Sequence, residues 1–261
     1  MHLFFHIFGL QIPGYGLFIT LGVLLGNVVV LPVLKREKLD FLDFITIEAY
    51  CFLGAFLGAK LLYFVVMARE IEWSRIFEEE YLLMLVNGGF VFYGGMIGGI
   101  LTIFLAKLFH KIDVVRYLKA VVFLIPFMHS FGRIGCFMAG CCFGIPYQGF
   151  GAVVFPEGCC APAGVALFPV QPVEAACLML ISMAILYLRM HHRFEYTVET
   201  YLLLYAPLRF GLEFLRYDEE RGKFGLLSTS QWISIALVIA VAAELVWRRA
   251  RAKKQTSAEV Q

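Results

Sequence analysis

Seven apolar runs, roughly 15–34, 44–67, 83–106, 118–138, 171–188, 197–216 and 229–247, dominate this 261-residue chain. Each comes near the ~20 residues that a helix needs to cross hydrocarbon. A segment in lipid must satisfy its own backbone N–H and C=O groups, which leaves the helix as the state for such runs. The expected fold is therefore all-α: a polytopic integral membrane protein of about seven transmembrane helices. Charged residues make up only 16% of the chain, against 61% hydrophobic, a balance foreign to a soluble domain of this length. The formal net charge of +2 is distributed along the connections rather than gathered into a patch, so nucleic acid is not expected as a partner.

The short polar connections carry the orientation. Lys35, Arg36, Lys38, Lys107, Lys111, Arg116, Lys119, Arg189, Arg193 and the tail RRARAKK fall on one side of the membrane. Arg69, Arg75, Arg216, Arg221 and Lys223 fall on the other. The positive-inside rule then places the N-terminus outside and the C-terminus in the cytoplasm. The opening MHLFFHIFGLQIPGYG has neither the basic region nor the small-residue cleavage site of a signal peptide. It is expected to remain as an interfacial lead-in to the first span. Residues 1–247 are read as one integral-membrane domain, and 248–261 as a basic cytoplasmic tail that frays.

Ionisable residues inside the runs mark what the bundle must enclose. Each costs roughly 2.5–3.5 kcal/mol at a helix centre on insertion scales, so several together call for a shared polar interior. Glu48 and Glu199 lie near cytoplasmic ends and are expected to snorkel to the interface. Glu174 is a further ionisable residue inside or at the edge of a span. Lys60, Arg133, Arg209 and Glu213 cluster toward the extracytoplasmic half and are the functional candidates. Arg133 lies in SFGRIGCFMAGCCFG, residues 130–144. Arginine keeps its charge at any physiological pH, and the flanking Gly132, Gly135, Gly140 and Gly144 let a headgroup approach. That combination suits a lipid phosphate. In YAPLRFGLEFLRYD, residues 205–218, Arg209 and Glu213 share a helical face and can pair. Arg216 is expected to extend the same stripe. In NGGFVFYGGMIGG, residues 87–99, the Gly94/Gly98 spacing permits close helix approach. The tandem glycines around Tyr93 suggest a bent entry that presents its hydroxyl, and Tyr15 sits in a similar turn-like lead-in, PGYG.

Cys51 and Cys177 lie in apolar runs and act as small hydrophobes. Cys136, Cys141, Cys142, Cys159 and Cys160 crowd into one region. Facing an oxidising compartment, Cys141 and Cys142 would pair with Cys159 and Cys160 as one or two disulfides, leaving Cys136 unpaired toward a cavity. A zinc site is a second reading, although the spacing is not a standard C-x₂-C knuckle. A thiol–disulfide carrier, the alternative from a different functional class, should show C-x-x-C at a helix start, and the sequence has none.

Taken in order, these motifs resemble the bacterial phosphatidylglycerol–prolipoprotein diacylglyceryl transferase family. GRIG at 132–135 and the glycines after it resemble the signature G-R-[IL]-G-N-F-x-N-G-E-x-x-G. NGGFVFYGGMIGG resembles D-G-G-x-x-x-H-G-G-L-I-G, QPVEA at 171–175 a worn H-P-[ST]-Q-L-Y-E, RFGLEFLRYD the pattern R-x-x-x-E-F-x-R-x-x-D, and STSQWIS the pattern S-x-G-Q-x-x-S.

The resemblance implies transfer of the diacylglyceryl group of phosphatidylglycerol to the lipobox cysteine thiol of prolipoproteins. The reaction would take place on the extracytoplasmic side of the bacterial inner membrane, with no cofactor and no metal. Arg133 and Arg209 carry over as phosphate-holding catalytic residues, with Tyr93 in the place of the family's proposed base. Tyr15, Lys60, Gly132, Cys136, Gly144, Tyr205, Glu213 and Arg216 carry over as substrate-binding. The departures are chemical: Tyr93 and Gln171 replace histidines, Cys136 an asparagine and Cys141 an acid. Tyrosine, with a reference pKa of about 10, is a weak base, whereas a thiol near ~8.5 can ionise beside arginines. A paralogue with a different acceptor, or a non-enzymatic lipid-binding membrane protein, are the alternatives these departures raise.

Overall fold

The computed structural model describes residues 4–7, 9–192, 194–217 and 223–259; Arg193, Asp218 and Arg221 fall outside them. An opening hairpin pairs β1 (Phe4–Ile7) with β2 (Leu10–Pro13). The α-helices are α1 (Gly14–Glu37), α2 (Phe41–Met67), α3 (Glu79–Asn87), α4 (Phe92–His110), α5 (Val114–Val121), α6 (Leu124–Ala139), α7 (Val170–His192), α8 (Thr197–Leu212) and α9 (Thr229–Glu259). The protein is an all-α multi-pass membrane protein. Among the described residues five helices are long and apolar enough to cross a bilayer, and a sixth span forms if α5 and α6 count as one bent element.

The remaining predicted spans differ from straight helices for local reasons. The run 83–106 breaks at Gly88–Val91, where Gly88 is extended, and α4 alone provides the span, Tyr93–His110. The expected bent entry is therefore present. The run 118–138 breaks at residues 122–123. Pro126 has no N–H to offer the carbonyl of Val122, and its ring excludes a continuous helix there; Ile125 N–H bonds Val122 O instead. The run 197–216 becomes a 16-residue α8, about 24 Å at 1.5 Å per residue. A 3₁₀ turn over Glu213–Leu215 adds about 6 Å.

The chain forms two compact units, one of residues 34–118 and one of the residues before and after them. In the unit 34–118, α2 and α4 pack backbone to backbone. A Cβ built on Gly58 or Gly94 would collide with the other's carbonyl oxygen, and one on Gly98 with that of Gly54. Gly94/Gly98 thus met their expected small-residue role, and their partners are Gly54 and Gly58, the same spacing on α2. Thr102 hydroxyl donates to Tyr50 O at 2.7 Å across this contact. Asp40 caps α2, accepting from the N–H groups of Leu42 and Asp43.

In the other unit α6 packs on α7, α7 on α8, and α8 on α9. Gly22 and Gly26 of α1 meet Phe131 and Met128 of α6 so closely that a Cβ would lie 2.8 Å from each. Two carbonyls near the α5–α6 break are satisfied from neighbouring helices: Ser182 hydroxyl donates to Phe123 O at 2.9 Å, and Thr197 hydroxyl to Lys119 O at 2.7 Å. Ser228 and Gln231 form a reciprocal capping box at the head of α9. Gln231 N–H donates to Ser228 Oγ and Ser228 N–H to Gln231 Oε1.

Two expectations change. Glu199 does not snorkel: it is 6% exposed and pairs with Arg248 at 2.9 Å. The helix α9 also runs past 247 without a break, so the basic segment begins as part of the bundle.

Gly98→Val should lower the thermal midpoint of the detergent-solubilised protein, by overpacking worth about 1–3 kcal/mol. Gly16→Ala, where a Cβ meets nothing within 4 Å, should leave it unchanged.

Candidate active site

The site residues of the second unit lie on three helices. Arg133, on α6, is 6% exposed, and its Nη2 stands 2.8 Å from Oε2 of the fully buried Glu174 on α7. The two atoms are close but not aligned as a hydrogen bond, and Arg133 Nε and Nη2 have no hydrogen-bond acceptor. Tyr205 on α8 donates its hydroxyl to the other oxygen of Glu174 at 3.4 Å. On α8 a stripe recurs every four residues. Tyr201 stacks on Tyr205, Arg209 follows one turn later, and Glu213 meets Arg209 at 2.8 Å. Arg209 Nη2 donates to Ser230 Oγ on α9 at 3.2 Å, while its Nη1 is buried without an acceptor.

Both guanidinium groups lie within electrostatic reach of Tyr205 and of His129. Both arginines therefore lie in the neighbourhood of the same two rings. His129 precedes Arg133 by one helical turn, and its ring meets Tyr205 edge-on at 5.5 Å. A buried N–H donor without a partner costs about 1–3 kcal/mol. Several together, on groups that cannot lose their charge, make a site suited to an anion.

The other predicted residues divide between the two units. Gly132 is open, with nothing within 4 Å of a built Cβ. Gly144 is the reverse: its Cβ would strike Phe168 O and come within 2.9 Å of Leu215 O. There the chain after α6 pairs with the chain after α8, through a Gly144–Arg216 bridge and an Ile145 N–H to Leu215 O bond. Arg216 is thus in extended backbone and does not continue the Arg209–Glu213 helical stripe, because α8 ends at Leu212. Tyr15 heads α1, its backbone within 3.2 Å of a Cβ built on Gly135. Tyr93 and Lys60 belong to the other unit. Tyr93 is in the first turn of α4. Lys60 donates to Leu85 O at 2.8 Å and Gly88 O at 3.0 Å and faces the rings of Tyr63 and Phe90. Its charge closes the C-terminus of α3.

The cysteines are arranged otherwise than expected. Cys141, Cys142, Cys159 and Cys160 are all free thiols. The reason is local: α6 ends in a Schellman turn, with Gly140 at φ +66°, Gly140 N–H on Phe137 O and Cys141 N–H on Cys136 O. The turn folds Cys141 and Cys142 back over Cys136, and the three sulfurs lie within 4.8 Å of one another. Cys159 instead packs on Gly140 and turns its thiol to Pro156 O and Ala161 O, and Cys160 is exposed.

Sequence reasoning did not place Glu174 or His129 in the site. A lone carboxylate in an apolar helix was the available signal for Glu174. For His129 the signal was the four-residue spacing to Arg133.

Fold and site together define a multi-pass helical membrane protein with two carboxylate-paired arginines, Arg133 buried and Arg209 half-buried, on helices of one unit. Residues 2–247 match the family model of prolipoprotein diacylglyceryl transferases, and the chain belongs to that family. It is 36% identical over 243 residues to phosphatidylglycerol–prolipoprotein diacylglyceryl transferase 2 of Clostridium perfringens (strain 13 / Type A), covering 89% of this chain and 90% of the relative. It is 34% identical over 236 residues to the phosphatidylglycerol–prolipoprotein diacylglyceryl transferase of Clostridium tetani (strain Massachusetts / E88), covering 90% and 92%. The corresponding enzyme of Finegoldia magna is 29% identical over 238 residues.

The Cys142 thiol is held below the ordinary range, first by hydrogen bonds with Cys136 and Cys141 and then by Arg216 and Arg133. A lowered value keeps the thiolate present as pH falls. Alkylation of Cys142, followed by peptide mass spectrometry, should therefore persist well below pH ~8.5, where an ordinary cysteine fades. The same pH profile in the folded and unfolded chain would contradict this.

Proposed function

We propose that this protein transfers the diacylglyceryl group of phosphatidylglycerol to the lipobox cysteine of prolipoproteins. The observation that carries the reading is the set of buried, unaccepted donors on Arg133 and Arg209 in a chain that belongs to this transferase family. The acceptor sulfur, as thiolate, attacks the glyceryl carbon that bears the phosphate. The carbon–oxygen bond breaks, its electron pair leaves on the phosphate oxygen, and a thioether and glycerol phosphate result. The phosphodiester enters with one negative charge and gains another as the bond breaks. Groups aimed at that growing charge stabilise the transition state more than the ground state.

Arg133 and Arg209 hold the phosphate oxygens. Glu174 and Glu213 orient the two guanidiniums, and Tyr205 fixes Glu174 in turn. Gly132 leaves room for the headgroup beside Arg133. Tyr93 keeps its place from the resemblance as a hydroxyl presented to substrate. The protein sits in the bacterial inner membrane with this site toward the extracytoplasmic face, the orientation that the distribution of lysine and arginine favours.

Transfer is measured with phosphatidylglycerol vesicles and a lipobox peptide, reading glycerol phosphate release. Arg133→Ala and Arg209→Ala should each lower turnover by about 10²–10³-fold, the usual loss for a donor to developing negative charge. Cys177→Ser should not. Full turnover by either arginine variant would end the assignment.

A further inference from the structure

The site above uses neither Cys141 nor Cys142, and yet both are folded onto Cys136. We propose that Cys136, Cys141 and Cys142 form an all-thiolate binding site for a soft monovalent metal ion, copper(I).

The three Sγ atoms lie within 4.8 Å of one another, a small contraction away from sharing one ion. The chain holds them there without a disulfide between them. Cys136 occupies the last turn of α6, and Cys141 returns to it through the Schellman turn. Cys142 follows in the left-handed backbone region, at φ +57°, a conformation that a residue with a Cβ rarely adopts. From α7, Gln171 Nε2 donates to Cys141 O at 2.8 Å and anchors the returning strand. On the far side Gly140 lies against Cys159, where a Cβ would approach within 2.7 Å. The cluster is thus fixed by backbone geometry and by a neighbouring helix.

The donor set selects the ion. Thiolates are soft ligands that favour copper(I) and zinc over magnesium, calcium or manganese. A closed structural zinc site takes four protein ligands, and among the described residues no histidine or carboxylate joins these three sulfurs. A monovalent d¹⁰ ion is satisfied by three. Charge points the same way. Three thiolates around copper(I) carry two negative charges, and Cys142 lies within reach of two guanidiniums, Arg216 and Arg133. Binding forms three Cu–S bonds, and the protons still on the thiols pass to solvent. No electron is transferred.

The test uses the full-length chain in detergent, reduced and desalted under anaerobic conditions. It is titrated with copper(I) supplied as its acetonitrile complex, against a bathocuproine chelator as competitor. One equivalent should leave the chelator for the protein, with a sulfur-only shell in X-ray absorption. Cys136→Ser, Cys141→Ser and Cys142→Ser should each weaken binding by more than the roughly 10–100-fold that ligand-orienting partners contribute. Cys159→Ser and Cys160→Ser should leave it intact. Each variant is first matched to the parent in thermal midpoint, and alanine replaces serine where the hydroxyl impairs folding. Unchanged uptake by the triple serine variant overturns the site, and tighter retention of zinc(II) than of copper(I) overturns the ion. Transfer activity is not a readout, so failure here and failure of the transferase assignment are separate results.

Discussion

A guanidinium that cannot release its proton lies almost fully buried in an apolar bundle, and the site depends on how that charge is answered. Glu174 answers it from the next helix, and Tyr205, on the one after, donates to Glu174. Removing one partner of such a pair strands a buried charge, typically at about 3–5 kcal/mol. The pair therefore ties α6, α7 and α8 to one arrangement as well as aiming Arg133. Its imperfect alignment leaves Arg133 donors free of an acceptor. A fully satisfied arginine would be a strut, whereas one with buried donors to spare is suited to gripping an anion.

Most of the architecture was legible because lipid imposes so few options. The apolar runs became helices, and the glycine-bracketed entry to α4 and the Arg209–Glu213 pair appeared as read. What pattern alone could not give was the partner across space. Gly94 and Gly98 announced a close approach, but Gly54 and Gly58 as its other side required a fold. Glu199 looked like an interfacial residue by position, and only the continuation of α9 supplies Arg248 to bury it against. Lys60 reads as a retained charge, and only the fold shows that its ammonium caps α3. Similarly, the disulfide expectation paired cysteines by loop membership, while the Schellman turn at Gly140 grouped them by local geometry.

One exchange of chemistry sets this chain apart from the family signature that its motifs resemble. Where the family signature carries an amide and an acid after its arginine, this chain carries Cys136 and Cys141. The backbone turn is indifferent to the swap, because it needs only Gly140 and free N–H groups. The polar surroundings of Arg133 therefore become sulfur-rich without any change in how the helix ends. The helix terminus thus supplies the shape, and the side chains that decorate it are free to diverge.

The Glu199–Arg248 contact has a consequence for where this molecule stops. The last apolar turn of α9 looks like a natural end, with only solubilising charge beyond it. Shortened at Trp247, the polypeptide would keep the apolar length of α9 and still leave the Glu199 carboxylate without its partner. The true edge of the folded body is electrostatic, and it lies past the point where the greasy sequence runs out.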